Sequence, residues 1–313
     1  MNSKKVNWVF LSLILLNMAL FVLMLIFYIN GSTLSDISIV ANLLLAEVIL
    51  MLPALIFALA SRKKTETGRF NELLGFHKIK ISSFFMIILF TYLIMPLTTV
   101  LNAISMLFVD NAVNAISGEV LEMPFLVMLF MIGMFGPFCE EFVFRGVIFR
   151  GYKNSGSVFW SIFWSALLFG LMHLNFNQAA YAIAIGILFG LLVEATGSLW
   201  SSVIAHMVFN SHQVCLMYLS ELFSEDLAAE ETALTQNVLI SAIGPYLIIA
   251  AVATPLAVCV LVWLAKNERR ETAFGSIWAC RKIKKEAMVS IPLIIAIVIS
   301  LAYMSLEWIM ALL

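Results

Sequence analysis

The chain has 313 residues, of which 63% are hydrophobic and only 12% are charged. Soluble domains are about half apolar and about a quarter charged, so this composition excludes an ordinary soluble fold. The net charge of −1 indicates no particular partner, and no nucleic acid is expected to bind. Many apolar runs instead reach the roughly 20 residues that cross a bilayer, which predicts an all-α polytopic membrane protein embedded in lipid.

Apolar runs separated by polar breaks predict eight to nine transmembrane helices. The first run follows Lys4 and Lys5, is long for a signal-peptide core and precedes no small-residue cleavage site, so it is interpreted as a retained span. The fourth and fifth runs are the least distinct. The candidate spans are 8–30, 37–60, 82–107, 124–149, 158–173, 179–195, 199–219, 237–265 and 289–313.

The basic residues predict the orientation of these spans. With nine spans, all 18 lysines and arginines fall on one side, and the loops on the other side are acidic or neutral. Because basic loops stay in the cytoplasm, the N-terminus is expected inside the cell and the C-terminus outside. The basic loop 266–288 is interpreted as a topology signal, with binding of anionic lipid head groups as the alternative.

Ionisable residues inside apolar spans are costly, so each is a candidate for function. Glu47, Glu194 and Glu307 are interpreted as structural or interhelical groups. The four cysteines have no paired or metal-finger spacing and are expected to be free. The full set of ionisable candidates is Glu47, Glu140, Glu141, Arg145, His173, Glu194, His206 and Glu307.

Three of these candidates lie close together in the fourth span. Glu141 and Arg145 are four residues apart, so on a helix they share one face and neutralise each other. Glu140 then lies about 100° around the helix, without a cation of its own on that segment. A carboxylate in that position can act as a general base. The alternative is that all three form a buried ion-paired cluster with a structural role.

Two further motifs follow on later spans. His173 ends the fifth, where a hydrogen-bonded packing role is the ordinary interpretation. His206 and Asn210 lie four residues apart on the seventh, so both side chains face one way. Together they can donate hydrogen bonds to a developing oxyanion. Interhelical hydrogen bonding is the alternative.

In this order, Glu140-Glu141-x-x-x-Arg145, Phe169-x-x-x-His173 and His206-x-x-x-Asn210 resemble the motifs of the CPBP family. That family comprises the type II CAAX prenyl endopeptidases and the bacteriocin-processing or self-immunity proteins. The resemblance divides the chain into N-terminal helices 1–123, a catalytic core 124–220 and C-terminal helices 221–313.

The resemblance implies an intramembrane endopeptidase. By that analogy Glu140 activates the attacking water with the help of His173, and Glu141 holds Arg145. His206 and Asn210 then stabilise the oxyanion. Family members have been described as metallopeptidases and also as metal-free glutamate enzymes.

Either mechanism is compatible with these residues. Glu140, His173 and His206 can supply three ligands to Zn²⁺ with water as the fourth, although no HExxH motif is present. An aspartyl dyad is excluded, because Asp36, Asp110 and Asp226 all lie in loops.

The expected substrates are peptides or membrane-protein segments in a bacterial plasma membrane, with prenylated C-terminal peptides as the other class. Two different functions remain open. One is a non-catalytic protein that confers bacteriocin immunity or regulates a sensor. The other is a proton-coupled transporter, although the inverted repeats and broken helices typical of transporters are not evident.

Overall fold

A computed structural model describes residues 3–29, 39–62, 69–155, 157–224, 236–279 and 287–312. All regular structure in these ranges is helical, which confirms the predicted fold class. A chain segment in lipid must satisfy its own backbone hydrogen bonds, and a helix does so within one segment. Parts of the predicted loops, including Cys280 and most of 220–236, lie outside the described residues.

The first half of the chain contains three long helices and two short ones. We number them α1 (Ser3–Ile29), α2 (Ile39–Arg62), α3 (Phe70–Leu74), α4 (Ile81–Ser105) and α5 (Ala112–Leu121).

The helical run α6 (125–155) follows and contains two π-helical segments. It is α-helical over Phe125–Phe130, Gly136–Glu141 and Arg150–Ser155, and π-helical over Met131–Phe135 and Phe142–Phe149. π-Helical turns are rare and are often found at functional sites. The two π segments flank the turn that carries Glu140 and Glu141.

Six helices complete the described fold. They are α7 (Val158–Met172), α8 (Phe176–Thr196), α9 (Leu199–Ser224), α10 (Gln236–Asn267), α11 (Ala273–Ala279) and α12 (Ile291–Leu312).

Seven of the described helices are long and apolar enough to cross a membrane. They correspond to seven of the nine candidate spans. The fifth candidate is α7, with only 15 residues, and the seventh lies in α9, which has 26 residues but is not among the seven. The predicted eight to nine transmembrane helices are therefore reached only if α7, α9 or both are counted with these seven.

The outer surface is apolar, as a lipid-facing surface should be. Large hydrophobic side chains on several spans are more than half exposed, among them Ile56, Phe85 and Ile248. The interior is formed by aromatic and aliphatic side chains such as Phe10, Phe144 and Leu199. Together with the apolar helices, this surface identifies an integral membrane protein.

The α7–α8 turn places one candidate residue inside the fold. Helix α7 ends at Met172, His173 follows as its C-cap, and Leu174 adopts a positive φ of 54°. Asn175 then caps α8 by accepting a hydrogen bond from the Gln178 backbone N–H. Because α7 has 15 residues, it rises only about 22 Å, which is less than the ~30 Å hydrocarbon core. A helix of this length that starts at one membrane face ends inside the hydrocarbon core, and His173 is expected there.

Candidate functional site

A cavity of about 300 Å³ lies between α2, α5, α6, α7, α8 and α9. Four predicted site residues line it: Glu140, His173, His206 and Asn210. Glu141 and Arg145 lie behind its wall, at 0% and 1% side-chain exposure. The structure thus brings the three sequence motifs to one place.

The ion pair predicted between Glu141 and Arg145 is present. Arg145 Nη1 donates to Glu141 Oε1 at 2.8 Å. The guanidinium carbon also lies 4.5 Å from the centre of the Phe169 ring, close enough for a cation–π contact. Burial of both charges is compatible with the membrane interior because each neutralises the other.

His206 connects this pair to the cavity. Its Nδ1 lies 3.0 Å from Glu141 Oε1, and its Nε2 lies 3.5 Å from Glu140 Oε2. The ring is enclosed by Phe169 and Phe189, with ring centroids 5.8 and 5.4 Å away. Because a carboxylate accepts hydrogen bonds, the Nδ1 contact places a proton on that nitrogen. His206 is thus held between two glutamates.

His173 is oriented by its own helix. Its Nδ1 lies 2.8 Å from the Phe169 backbone carbonyl, which can only accept a hydrogen bond. Nδ1 therefore carries a proton, and in the neutral ring Nε2 is left as an acceptor. Edge-to-face contact with the Phe169 ring at 5.1 Å holds the imidazole in this orientation.

Asn210 is anchored to the first π-helical segment. Its Nδ2 donates to the Ile132 carbonyl at 3.2 Å, and the neighbouring Ser211 hydroxyl donates to the Gly133 carbonyl at 3.2 Å. The π turn thus gives α9 two hydrogen-bond acceptors at the cavity edge. An amide nitrogen has two N–H groups, so one contact leaves a second donor for a ligand.

Glu47 is the residue whose importance the sequence interpretation missed. It lines the same cavity from α2, and a Cβ placed on Gly136 would come within 3.0 Å of its Oε1. Its other oxygen, Oε2, is buried without a hydrogen-bond partner in the described part of the chain. The signal was an acidic residue inside an apolar span, but spacing alone could not show which way it faced.

The fit of a zinc ion can be judged from these contacts. Within the described ranges, no group of three or more His, Cys, Asp or Glu side chains is arranged to hold a metal ion. The two ring nitrogens of His206 face glutamates, and Nδ1 of His173 faces a backbone carbonyl. Zinc-ligating histidines commonly make such Nδ1 contacts, so it is the spacing of the side chains, and not these contacts, that does not fit Zn²⁺ bound by Glu140, His173 and His206. A zinc requirement stays a prediction.

The central region of the chain is similar to known proteins. Residues 122–212 match the family model described as type II CAAX prenyl endopeptidase Rce1-like. A 90-residue stretch is 27% identical to the protein named "Putative membrane peptidase YdiL" of Bacillus subtilis (strain 168). That match covers 29% of this chain and only 37% of the relative. No solved structure matches the chain.

These matches confirm the CPBP resemblance that the three motifs predicted. The matched region contains every predicted site residue, from Glu140 to Asn210. Glu47 lies outside it, on α2. The cavity is thus built mainly from the matched region and two helices that precede it, α2 and α5.

Proposed function

We propose that this protein is an intramembrane endopeptidase that hydrolyses peptide bonds in the cavity lined by Glu140, His173, His206 and Asn210. One observation carries the proposal: residues from three motifs and three separate helical elements line a single cavity within the membrane-spanning region. The match to a family described as endopeptidases supports the same reaction class.

The proposed reaction begins with a water molecule between Glu140 and His173. Glu140 removes one proton from this water, while His173 Nε2 accepts a hydrogen bond from the other O–H and orients the oxygen. The oxygen attacks the peptide carbonyl carbon to give a tetrahedral oxyanion. The C–N bond then breaks, and the proton held by Glu140 passes to the departing amine nitrogen.

The oxyanion needs donors that are fixed before the reaction. Asn210 supplies its second N–H, and its first already holds the side chain against the Ile132 carbonyl. His206 is the other proposed donor, through Nε2 of a ring that carries a proton on both nitrogens, and this Nε2 lies 3.5 Å from Glu140 Oε2. Glu141 and Arg145 position His206 from behind through the Nδ1 contact.

The cavity also indicates the class of substrate. Most of its lining side chains are apolar, including Met131, Ile132 and Phe209. Such walls favour an apolar peptide or a segment of a membrane protein. We propose bacterial peptides or membrane-protein segments as substrates, with prenylated C-terminal peptides as the other class to be tested.

A second candidate function is favoured by a specific observation. Several polar groups of the cavity already bond within the protein: His206 faces both glutamates, and Asn210 donates to Ile132. Such contacts also suit a non-catalytic membrane protein that sequesters a bacteriocin or regulates a sensor. In that case the polar cluster would stabilise the fold without cleaving a bond.

Purified full-length protein incubated with a peptide library separates the two candidates. The peptidase proposal expects cleavage by the unmodified protein and its loss in Glu140→Gln, with both proteins equally folded. Parallel reactions with a chelator, followed by added Zn²⁺, test the metal requirement. Absence of cleavage, combined with full protection of cells by the Glu140→Gln variant, would favour the immunity role.

We also propose a bacterial plasma membrane location with a cytoplasmic N-terminus. The division into 1–123, 124–220 and 221–313 is proposed with it, and the matched segment 122–212 supports the central part. Reporter fusions after Lys5 should report the cytoplasm, and fusions after Asp110 should report the outside. The reverse pattern would invert the proposed topology.

A further inference from the structure

A second polar cavity, of about 160 Å³, lies outside the candidate active site. It is found where α6 and α8 end, beside the residues that follow α10. Its charged wall is formed by Arg150, Lys153, Glu194 and Arg270, with His77 at its rim. None of these side chains has a part in the proposed hydrolysis.

Positively charged side chains outnumber negatively charged ones in this wall. Glu194, at 2% exposure, forms an ion pair with Lys153, and its Oε2 lies 3.9 Å from Arg270 Nη2. Arg270 Nε also donates to the Glu194 backbone carbonyl at 3.0 Å. Arg150 interacts electrostatically with both Glu194 and Arg270. Three permanent cations thus share one carboxylate, which leaves two positive charges in excess when His77 is neutral.

Arg150 also has an unsatisfied donor. Its Nε is buried and has no acceptor among the residues that the structure describes. A buried donor without a partner is costly, and one on a charged group more so. An anion in the cavity would supply both the missing acceptor and the missing negative charge.

Two glycines leave room for the arginines at this cavity. Gly75 and Gly197 end α3 and α8 with positive φ angles of 82° and 73°. A Cβ on Gly75 would lie 1.5 Å from Arg150 Nη2, and one on Gly197 would lie 2.8 Å from Arg270 Nη1. Both guanidinium groups therefore pack directly against the glycine backbone beside the cavity.

We propose that this cavity binds a phosphate group, carried by a phospholipid head group or by free phosphate. A phosphate oxyanion provides several acceptors for guanidinium and ammonium donors, and its charge balances the excess in the wall. The cavity is too small for most drug-sized ligands, whose pockets are about 300–1,000 Å³. Lipid head groups lie at the level where membrane-spanning helices such as α8 end.

The test uses the full-length protein in a neutral detergent and in lipid nanodiscs. In detergent, inorganic phosphate is titrated at constant ionic strength, and the thermal unfolding midpoint reports binding. In nanodiscs, phosphatidylcholine is compared with the same lipid containing phosphatidic acid, and retained lipid is measured by mass spectrometry. Arg150→Gln and Lys153→Gln should each weaken binding about tenfold, since each removes one charged hydrogen bond.

Arg69→Gln is the matched control, because Arg69 is 77% exposed, pairs with Glu72 and lies outside the cavity. Lys153, at 36% exposure, keeps the test valid if Arg150→Gln fails to fold. Stabilisation by inorganic phosphate identifies a free anion, and retention of phosphatidic acid alone identifies a lipid. Absence of both effects, or an equal loss in Arg69→Gln, overturns the proposal.

Discussion

Arg145 and Arg150 lie five residues apart on α6, yet their surroundings differ in the balance of charge. Arg145 is 1% exposed, pairs with Glu141 at 2.8 Å and is covered by Phe169. Arg150 packs over Gly75, in a wall where cations outnumber carboxylates. Deep in the membrane each charge requires a partner from the protein, whereas near the membrane face water or a ligand can supply one.

The comparison separates two kinds of polar cluster. In the deep cluster, Glu140, Glu141, Arg145 and His206 contact one another and leave a cavity on one side. The shallow cluster consists of Arg150, Lys153, Glu194 and Arg270. In it, the single glutamate is shared by three cations. Substitutions in the deep cluster should therefore change chemistry or stability strongly, and those in the shallow cluster should mainly change binding of an anion.

The largest effect is expected from Glu140→Gln. The amide keeps the size of the side chain but cannot remove a proton from water, so turnover should fall ~10²–10⁴-fold. Peptide cleavage by purified protein measures this loss, and the thermal unfolding midpoint should stay unchanged. The control is Glu122→Gln, an exposed glutamate that does not line the cavity. Equal activity of Glu140→Gln and Glu122→Gln would remove Glu140 from the mechanism.

Arg145→Ala tests the deep ion pair by comparison with an exposed one. Removal of one partner leaves Glu141 buried without its cation, at a cost of ~3–5 kcal/mol in the free energy of unfolding. Arg69→Ala breaks the exposed pair with Glu72, which should cost less than ~1 kcal/mol. Unfolding in detergent measures both variants. Similar midpoints for the two would show that the Glu141–Arg145 pair contributes little to stability.

Much of the deep cluster could be predicted from the sequence, because it depends on the spacing of residues within single helices. The spacing of Glu141 and Arg145 predicted their ion pair. The spacing of His206 and Asn210 predicted that both side chains face the same way, and both line the cavity. The contacts between helices could not be predicted in this way. That His206 reaches Glu141, and that Glu47 faces the cavity, depends on how α2, α6 and α9 pack.

The π-helical segments of α6 could not be predicted from the sequence either. The apolar run that contains Met131–Phe135 is continuous, and its composition does not distinguish α from π turns. The same holds for the short α7, whose early end depends on the positive φ of Leu174. Neither feature follows from the local composition of the sequence.

Asn210→Ala tests whether the cavity edge stabilises an oxyanion. Loss of one such donor should reduce turnover ~10²–10³-fold. Ser211→Ala is an unusually close control, since Ser211 makes the adjacent contact to the π segment at the same 3.2 Å. Because catalytic groups act as a unit, the His206→Ala/Asn210→Ala double variant should be barely worse than the worse single variant. Equal losses in Asn210→Ala and Ser211→Ala would indicate that Asn210 only holds α9 in place.

The smallest effect is expected from Glu47, which extends the deep cluster beyond the matched region. Its carboxylate lines the cavity and has one oxygen without a partner among the described residues, so it can accept a hydrogen bond from a backbone N–H of the substrate. Glu47→Gln should lower kcat/KM about tenfold, the value of one hydrogen bond to a charged group. Steady-state cleavage of a library-derived peptide measures the change.

Gly136→Ala sharpens this last prediction, because it displaces the Glu47 carboxylate without removing it. The added methyl would lie 3.0 Å from Glu47 Oε1, so the side chain must move by a few tenths of an ångström. If Glu47 contacts the substrate, Gly136→Ala should lower kcat/KM in the same direction but less than Glu47→Gln. It should add little in the double variant, where the carboxylate is already absent. Glu307→Gln, on an exposed glutamate of α12, is the control. Additive losses in the double variant would show that Gly136 acts independently of Glu47, through the packing of α6.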